Sequence, residues 1–335
     1  MTDTGKISRE FFAEYLAPRL GAPRDDVRVG PKHGVDFGVI DTDAQALAIA
    51  SDPISVLPGL GFTRAGRFAV RFVLADVAVS GLSPTHLAIS FSLPPDMSDA
   101  EFAAVWEGIH QECHDLGVAV VTGHTARYVG CSFPWVGAGT ALAFGPSDRI
   151  IHPDGAQPGD SLLVTNGPAV ETTGLLTSLF PDRIDLPEST LATAQKRLAD
   201  TGVVRDAQLA AAAGARAMHD ATEGGLLGAL FEMAESAGVR LEITSRDVPI
   251  LPGVRETCDT LGIDPWKATT GGTLVIAAPP DYADKIVSAL EAEGTPAAVV
   301  GRVTTGSGVV VDGDAKTRPT GDASWAVYER LSREE

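Results

Sequence analysis

Short apolar runs along the chain alternate with longer stretches whose apolar residues recur every three or four positions, which predicts strands interleaved with amphipathic helices. Apolar residues at 226, 227, 230, 231 and 234 predict a helix from residue 223 to about 237, entered through the glycine-rich turn Asp220-Ala221-Thr222-Glu223-Gly224-Gly225. Ser98-Asp99-Ala100-Glu101 has the form of a capping box, after which Phe102, Val105, Trp106, Ile109, Cys113 and Leu116 share one helical face that Gly117 ends. Helices are also expected at residues 8–20, 66–81, 168–179, 190–199, 203–217 and 281–293. Strands are expected at 47–51, ended by Asp52-Pro53, and at 86–93, 118–122, 135–144, 161–165, 239–243, 274–277, 298–303 and 308–311. The turn-rich stretch Asp154-Gly155-Ala156-Gln157-Pro158-Gly159-Asp160 resets the pattern. The expectation is an α/β protein of two domains, 1–150 and 151–335, the second an α+β unit.

Composition narrows the class further. The hydrophobic content of 44% suffices for well-buried cores, and the longest apolar runs, such as Phe68 to Ala75, are far too short to span a bilayer. Met1-Thr2-Asp3-Thr4-Gly5-Lys6 lacks the basic-then-apolar form of a secretory signal, so a cytoplasmic protein without a membrane partner is expected. A formal charge of −18 argues against a nucleic-acid partner, because such a surface repels phosphate at long range. Only six of the 26 basic residues are lysine, and the acidic, lysine-poor surface suggests a salt-rich, halophile-like cytoplasm. Cys113, Cys131 and Cys258 are widely spaced and read as buried small hydrophobes in a reducing compartment.

Candidate chemistry lies in the carboxylates. Asp76 sits in the middle of an apolar predicted helix, where an unpaired charge costs several kcal/mol or so; a salt bridge to Arg71 or another arginine is the bland alternative. Asp36 stands in the loop Gly34-Val35-Asp36-Phe37-Gly38, and Asp52 and His124 each follow a predicted strand. Asp220 and Glu223 flank the entry to the 223–237 helix, with the spacing of a capping box or of an anion site. Carboxylates without clustered Cys or His favour a hard cation such as Mg²⁺, and glycine-rich turns cradle phosphate. The P-loop, the dinucleotide-binding fingerprint and the nucleophile elbow are all missing from the sequence.

Phe68-Ala69-Val70-Arg71 with Ala75-Asp76-Val77-Ala78-Val79-Ser80-Gly81, then Val121-Thr122-Gly123-His124-Thr125, then His219-Asp220-Ala221-Thr222-Glu223-Gly224-Gly225 resemble the successive motifs of the aminoimidazole-ribonucleotide-synthetase (PurM-like) superfamily. Thiamine-monophosphate kinase, selenophosphate synthetase and the hydrogenase maturation factor HypE belong to it. Val248 to Arg255 and Leu261 to Pro265 are most similar to the HypE branch, and the resemblance covers about residues 30 to 312.

The resemblance implies a PurM-like dimerising sheet domain, a PurM-like C-terminal domain and a homodimer. It also implies ATP held by Mg²⁺ on aspartates, a small-molecule acceptor and, for the HypE branch, a maturation partner protein. Carried over by position, Asp36, Asp52 and Asp76 would hold metal, and Asp76 and Asp220 would be catalytic. Asp36, Gly123, His124, Thr125, Glu223, Gly224 and Gly225 would bind the nucleotide. The expected activity is ATP-dependent phosphorylation or activation of an oxygen or phosphate acceptor. Thiamine-monophosphate kinase activity and a non-catalytic nucleotide-binding dimer are the alternatives. His124 stands where the family usually has aspartate, no acid stands at Thr270-Gly271, and the chain ends Ser332-Arg333-Glu334-Glu335 where HypE ends in a carbamoyl-carrying cysteine. A HypE-like sequence with a different substrate is therefore expected.

Overall fold

A computed structural model describes residue 7 and residues 9–32, 34–43, 45–152 and 154–333, so Met1 to Lys6, Ser8, Glu334 and Glu335 of the segments above lie outside the described residues. The first sheet contains β1 (Val27–Val29), β2 (Gly38–Asp41), β3 (Ala46–Ser55), β4 (His86–Leu93), β5 (Ala119–Arg127) and β6 (Trp135–Gly145), in the order β1-β2-β3-β6-β4-β5. Every pair is antiparallel except β4–β5, and that parallel pair needs a crossover, which the helix Asp99–Leu116 supplies. The expected capping box starts this helix: the Ser98 N–H donates to Glu101 Oε2 at 2.7 Å and the Glu101 N–H to Ser98 Oγ at 3.2 Å. Ala46, Ala48, Ala50 and Ile54 of β3 lie on the face that packs against the helix Arg71–Ala78. Among the described residues no helix covers the opposite face of the sheet, where Trp135 and Phe144 are exposed, and β5 is exposed along nearly its whole length.

Several expectations are corrected here. The 66–81 segment is two helices separated at Val70, and Asp76 is half-buried between buried neighbours. β3 runs through Asp52-Pro53 to Ser55; β2 pairs with it only as far as Ile49, leaving an edge where a proline is tolerated. β5 likewise continues past Thr122, because β4 offers it a partner as far as Leu93. Asp52 and His124 are therefore within strands and not at their ends. Residues 9–19 form three short turns of different pitch, Arg9–Phe11, Phe12–Leu16 and Ala17–Arg19, with Phe11, Tyr15 and Leu20 exposed. Pro18 and the lack of a core to pack against account for the missing regular helix.

The second sheet contains β7 (Ser161–Thr165), β8 (Ala217–Ala221), β9 (Arg240–Ile243), β10 (Thr273–Ala278), β11 (Ala297–Thr304), β12 (Gly308–Val311) and β13 (Asp314–Ala315), in the order β13-β12-β9-β11-β7-β10-β8. Helices Val204–Ala213 and Pro280–Ala292 cover one face, in a core continuous with that of the first sheet. Helix Gly225–Ala237 covers the other face, so β8 and β10 are buried on both sides. The helix expected at 203–217 ends at Ala213, because Ala217 to Ala221 pair with β10. Among the described residues no helix is long and apolar enough to cross a membrane.

Candidate active site at one end of the second sheet

β8 ends at Ala221 opposite Thr273, where antiparallel β10 begins, and β7 ends beside them at Thr165. The loops at 166–169, 222–224 and 269–272 therefore leave the sheet together. Side chains tie them: Asn166 Nδ2 donates to the Gly272 carbonyl at 2.8 Å, and Thr270 Oγ1 donates to the Gly167 carbonyl at 3.1 Å. Asp322 joins two of the loops, since its Oδ2 accepts from the Gly224 N–H at 2.8 Å and from Thr269 Oγ1 at 2.7 Å. Gly225 has φ +67°, and a Cβ there would lie 2.7 Å from the carbonyl oxygens of Trp266 and Ala268, so the turn admits only glycine. The capping-box alternative for Asp220 and Glu223 does not form: Asp220 lies within β8, and the helix starts at Gly225 behind Gly224.

Asp36 reaches this end of the sheet from the first half of the chain. Ligand atoms of Asp36, His219 and Asp220 all lie within 4.8 Å of one another, with His219 and Asp220 buried. His219 Nδ1 faces Asp36 Oδ2 at 3.4 Å and the Asp220 carbonyl at 2.7 Å, while Nε2 faces Glu232 Oε2 at 3.3 Å. Burial works against an imidazolium here, but Asp36, Glu232 and Asp220 outweigh it and hold His219 up to about 10. The carboxylates around the ring thus favour its protonated form. Arg318 completes the network through Glu232 at 2.8 Å and Glu235 at 2.8 Å. The Asp36 and Asp220 carboxylates are the donor type that a hard divalent cation takes, so the pair fits Mg²⁺ without help from the imidazole.

The other expected residues are distributed as follows. Glu223, Gly224 and Gly225 lie in the turn after β8, beside the group. Asp52 and Asp76 are not part of the group, yet they share one layer: Asp52 is on the face of β3 against which the helix carrying Asp76 packs. Gly123, His124 and Thr125 lie on the exposed strand β5, where His124 Nε2 is 3.0 Å from Tyr128 Oη. Arg71, the bland alternative as a partner for Asp76, is engaged elsewhere. It pairs with Glu112 at 2.9 Å and donates to the carbonyls of Leu198 and Ala199 and to Thr201 Oγ1, at 3.0 to 3.1 Å, joining the two halves. A cleft of about 1090 Å³ opens beside that junction, lined by Arg67, Arg71, Lys196, Arg197 and Asn166; no member of the carboxylate group lines it.

Sequence reading did not single out His219, Glu232, Glu171 or Asp322. Glu232 and Glu171 each interrupt an apolar helical stretch, so the burial argument applied to Asp76 would have found them. Asp322 offers no such signal: its one local partner is Ser324, and its partners in the two loops lie 53 and 98 residues away. Of the thiols, Cys113 and Cys258 are buried as expected, with burial pushing them up to about 11 and about 12, whereas Cys131 is only half-buried.

Residues 34–142 match the family model for the AIR synthase related protein N-terminal domain, and residues 157–314 match that for its C-terminal domain. A carbamoyl dehydratase HypE from Rhodobacter capsulatus is 32% identical over 247 residues, covering 71% of this chain and 69% of that protein. The carbamoyl dehydratase HypE of Escherichia coli K12 is 28% identical over 313 residues, covering 92% and 89%. Among solved structures, HypE in complex with ATP aligns at a TM-score of 0.67 with 21% identity over 97% of each chain. A ThiL complexed with AMPPCP and TMP aligns at 0.70 with 22% identity over 86% of this chain and 90% of that one. A chain of a HypE–HypF complex aligns at 0.70 with 20% identity over 84% and 93%; at these identities the structures speak for the fold alone. With both of its halves matched, the chain belongs to the AIR synthase related family.

Proposed function

We propose that the chain is a Mg²⁺-dependent, ATP-using enzyme that phosphorylates or activates an oxygen or phosphate acceptor at the end of the second sheet. The observation that carries this reading is the meeting of Asp36, from one half of the chain, with Asp220, from the other. Two buried or half-buried carboxylates within one cation's reach, beside a glycine turn at a helix N-terminus, form a place where metal and triphosphate can be held together. Mg²⁺ bound there would neutralise phosphate charge, and Asp36 and Asp220 would hold it, with Asp52 and Asp76 on the adjoining layer as further carboxylates. The HypE relatives support the ATP-dependent reading, and the ThiL likeness keeps thiamine monophosphate among the acceptors to be assayed. The uncovered face of the first sheet and the exposed strand β5 support a homodimer, and the HypE–HypF likeness supports a maturation partner protein.

Calorimetric titration with a non-hydrolysable ATP analogue, with and without Mg²⁺, tests the reading. Mg²⁺-dependent binding is expected, followed by ADP release from ATP in the presence of small acceptors. Absence of binding with Mg²⁺ present overturns it, and binding without turnover over an acceptor panel would establish a nucleotide-binding dimer instead.

A further inference from the structure

Glu171 is the buried acid that the proposed chemistry has not used. It lies in the first turn of helix Val170–Leu179, only 7% exposed, and its Oε2 accepts the Gly271 N–H at 3.0 Å. A Cβ on Gly271 would lie 2.8 Å from that oxygen and 2.7 Å from Phe72 Cε1, so the absence of a side chain at 271 makes the room in which the Glu171 carboxyl sits. Phe72 belongs to the helix Arg71–Ala78, one turn before Asp76, so Glu171 stands where the Asp76 helix of the first half meets the glycine loop of the second. Among the described residues Oε1 has no hydrogen-bond partner. The carboxyl is thus fixed by one oxygen, and the other accepts from no donor among the described residues.

We propose that Glu171 is the general base of the ATP-dependent reaction, with Oε1 taking the proton of the attacking acceptor. This rests on the functional reading above. In the step, the acceptor oxygen bonds to the γ-phosphorus as the bond from that phosphorus to the β–γ bridging oxygen breaks. The electron pair leaves on ADP, and the acceptor's proton passes to Glu171 and then to solvent. In the hydrolysis assay water is the acceptor and inorganic phosphate the second product.

Burial pushes Glu171 up to about 8, with the Gly271 N–H working against that rise and Asp322 adding to it. The other charged groups on the elements packed around it are Arg71 and Asp76 on the Phe72 helix, Lys196, Arg197 and Asp200 on the turn Lys196–Thr201, Glu188 on helix Glu188–Gln195, Arg255, Glu256 and Asp259 on helix Val254–Leu261, and Asp182 and Arg183 on the turn Pro181–Arg183; of all charged groups, Asp322 alone contributes to the shift. A base of this strength is strong yet still partly ionised near neutrality, the compromise that proton transfer favours.

The test is Glu171→Gln in the full-length protein, with ATP and Mg²⁺. The amide keeps an oxygen for the Gly271 N–H but takes no proton. Analogue binding within about twofold of the parent is expected, with turnover lower by about 100-fold or more, the usual worth of a general base. In the parent, turnover should rise with pH and level off above about 8; the residual turnover of the variant should lack that rise. Glu171→Asp, which retains a shorter base, should recover part of the rate and the rise. Parent-like turnover and pH profile in Glu171→Gln overturn the proposal while leaving the ATP-using reading intact. Failure of the parent to bind the analogue removes the reading on which the proposal depends. Should Glu171→Gln misfold, a Glu171→Asp variant with parent-like rate and no pH-dependent rise would equally overturn it.

Discussion

His219 is surrounded by oxygen atoms from Asp36, Asp220 and Glu232, and its ring ties these groups together at one corner of a buried sheet end. Removing one carboxylate without changing its shape isolates its role. Asp220→Asn should weaken Mg²⁺-dependent binding of an ATP analogue by about 10- to 100-fold, the loss seen even for outer partners of metal sites, and calorimetry measures it directly. Glu171 gives a second prediction, on stability. Its proton is held up to about 8 in the folded chain against an ordinary 4.5, so the unfolded chain releases it first. Stability should therefore fall as pH rises from about 4.5 to about 8, and Asp206, pushed up to about 6 mainly by burial, adds to the fall at the acid end. Urea midpoints across that interval should decline for the parent and less steeply for Glu171→Gln. At these residues the sequence was informative where chemistry is local: Asp36 and Asp220 could be picked out by their loops and neighbours. The surroundings of His219 could not, since its partners are scattered from residue 36 to residue 232.

Elements carrying their own start and stop signals were legible to within a residue or two. The helix Asp99–Leu116 has its capping box and its left-handed glycine, and strands β4, β7 and β12 have the predicted bounds. Ser98→Ala should cost about 1 kcal/mol, the worth of an N-cap, read from chemical denaturation. Misplaced boundaries are those that pairing decides. β3 and β5 run past apparent stops because β6 and β4 hold them, and the alanine-rich 203–217 segment stops early because β10 recruits Ala217 to Ala221. The glycine turn before helix Gly225–Ala237 is fixed by its neighbours in the same sense. Gly225→Ala should destabilise by about 1 to 3 kcal/mol, because positive φ and the carbonyls of Trp266 and Ala268 both oppose a side chain. A melting temperature equal to the parent's would show that the turn relaxes freely.

For the chain taken together, the α/β class and the family were legible because ordered motifs recur along most of its length. The sheet orders were not, since strand pairing is non-local and period-two patterns do not name a partner. The charge of −18 also acts on the entire chain. Raising salt shortens the screening length from about 10 Å at 0.1 M to about 3 Å at 1 M, so the melting temperature should rise with potassium chloride if self-repulsion limits stability. A flat response would separate the acidic surface from any salt-rich habitat. Arg71 has a consequence at this level. Its guanidinium, anchored on Glu112, grips the backbone at Leu198 and Ala199 across the junction, and Asp76 lies on the same short helix. These contacts fasten the two halves together at that point. A motion of one half against the other at this junction has to break them first.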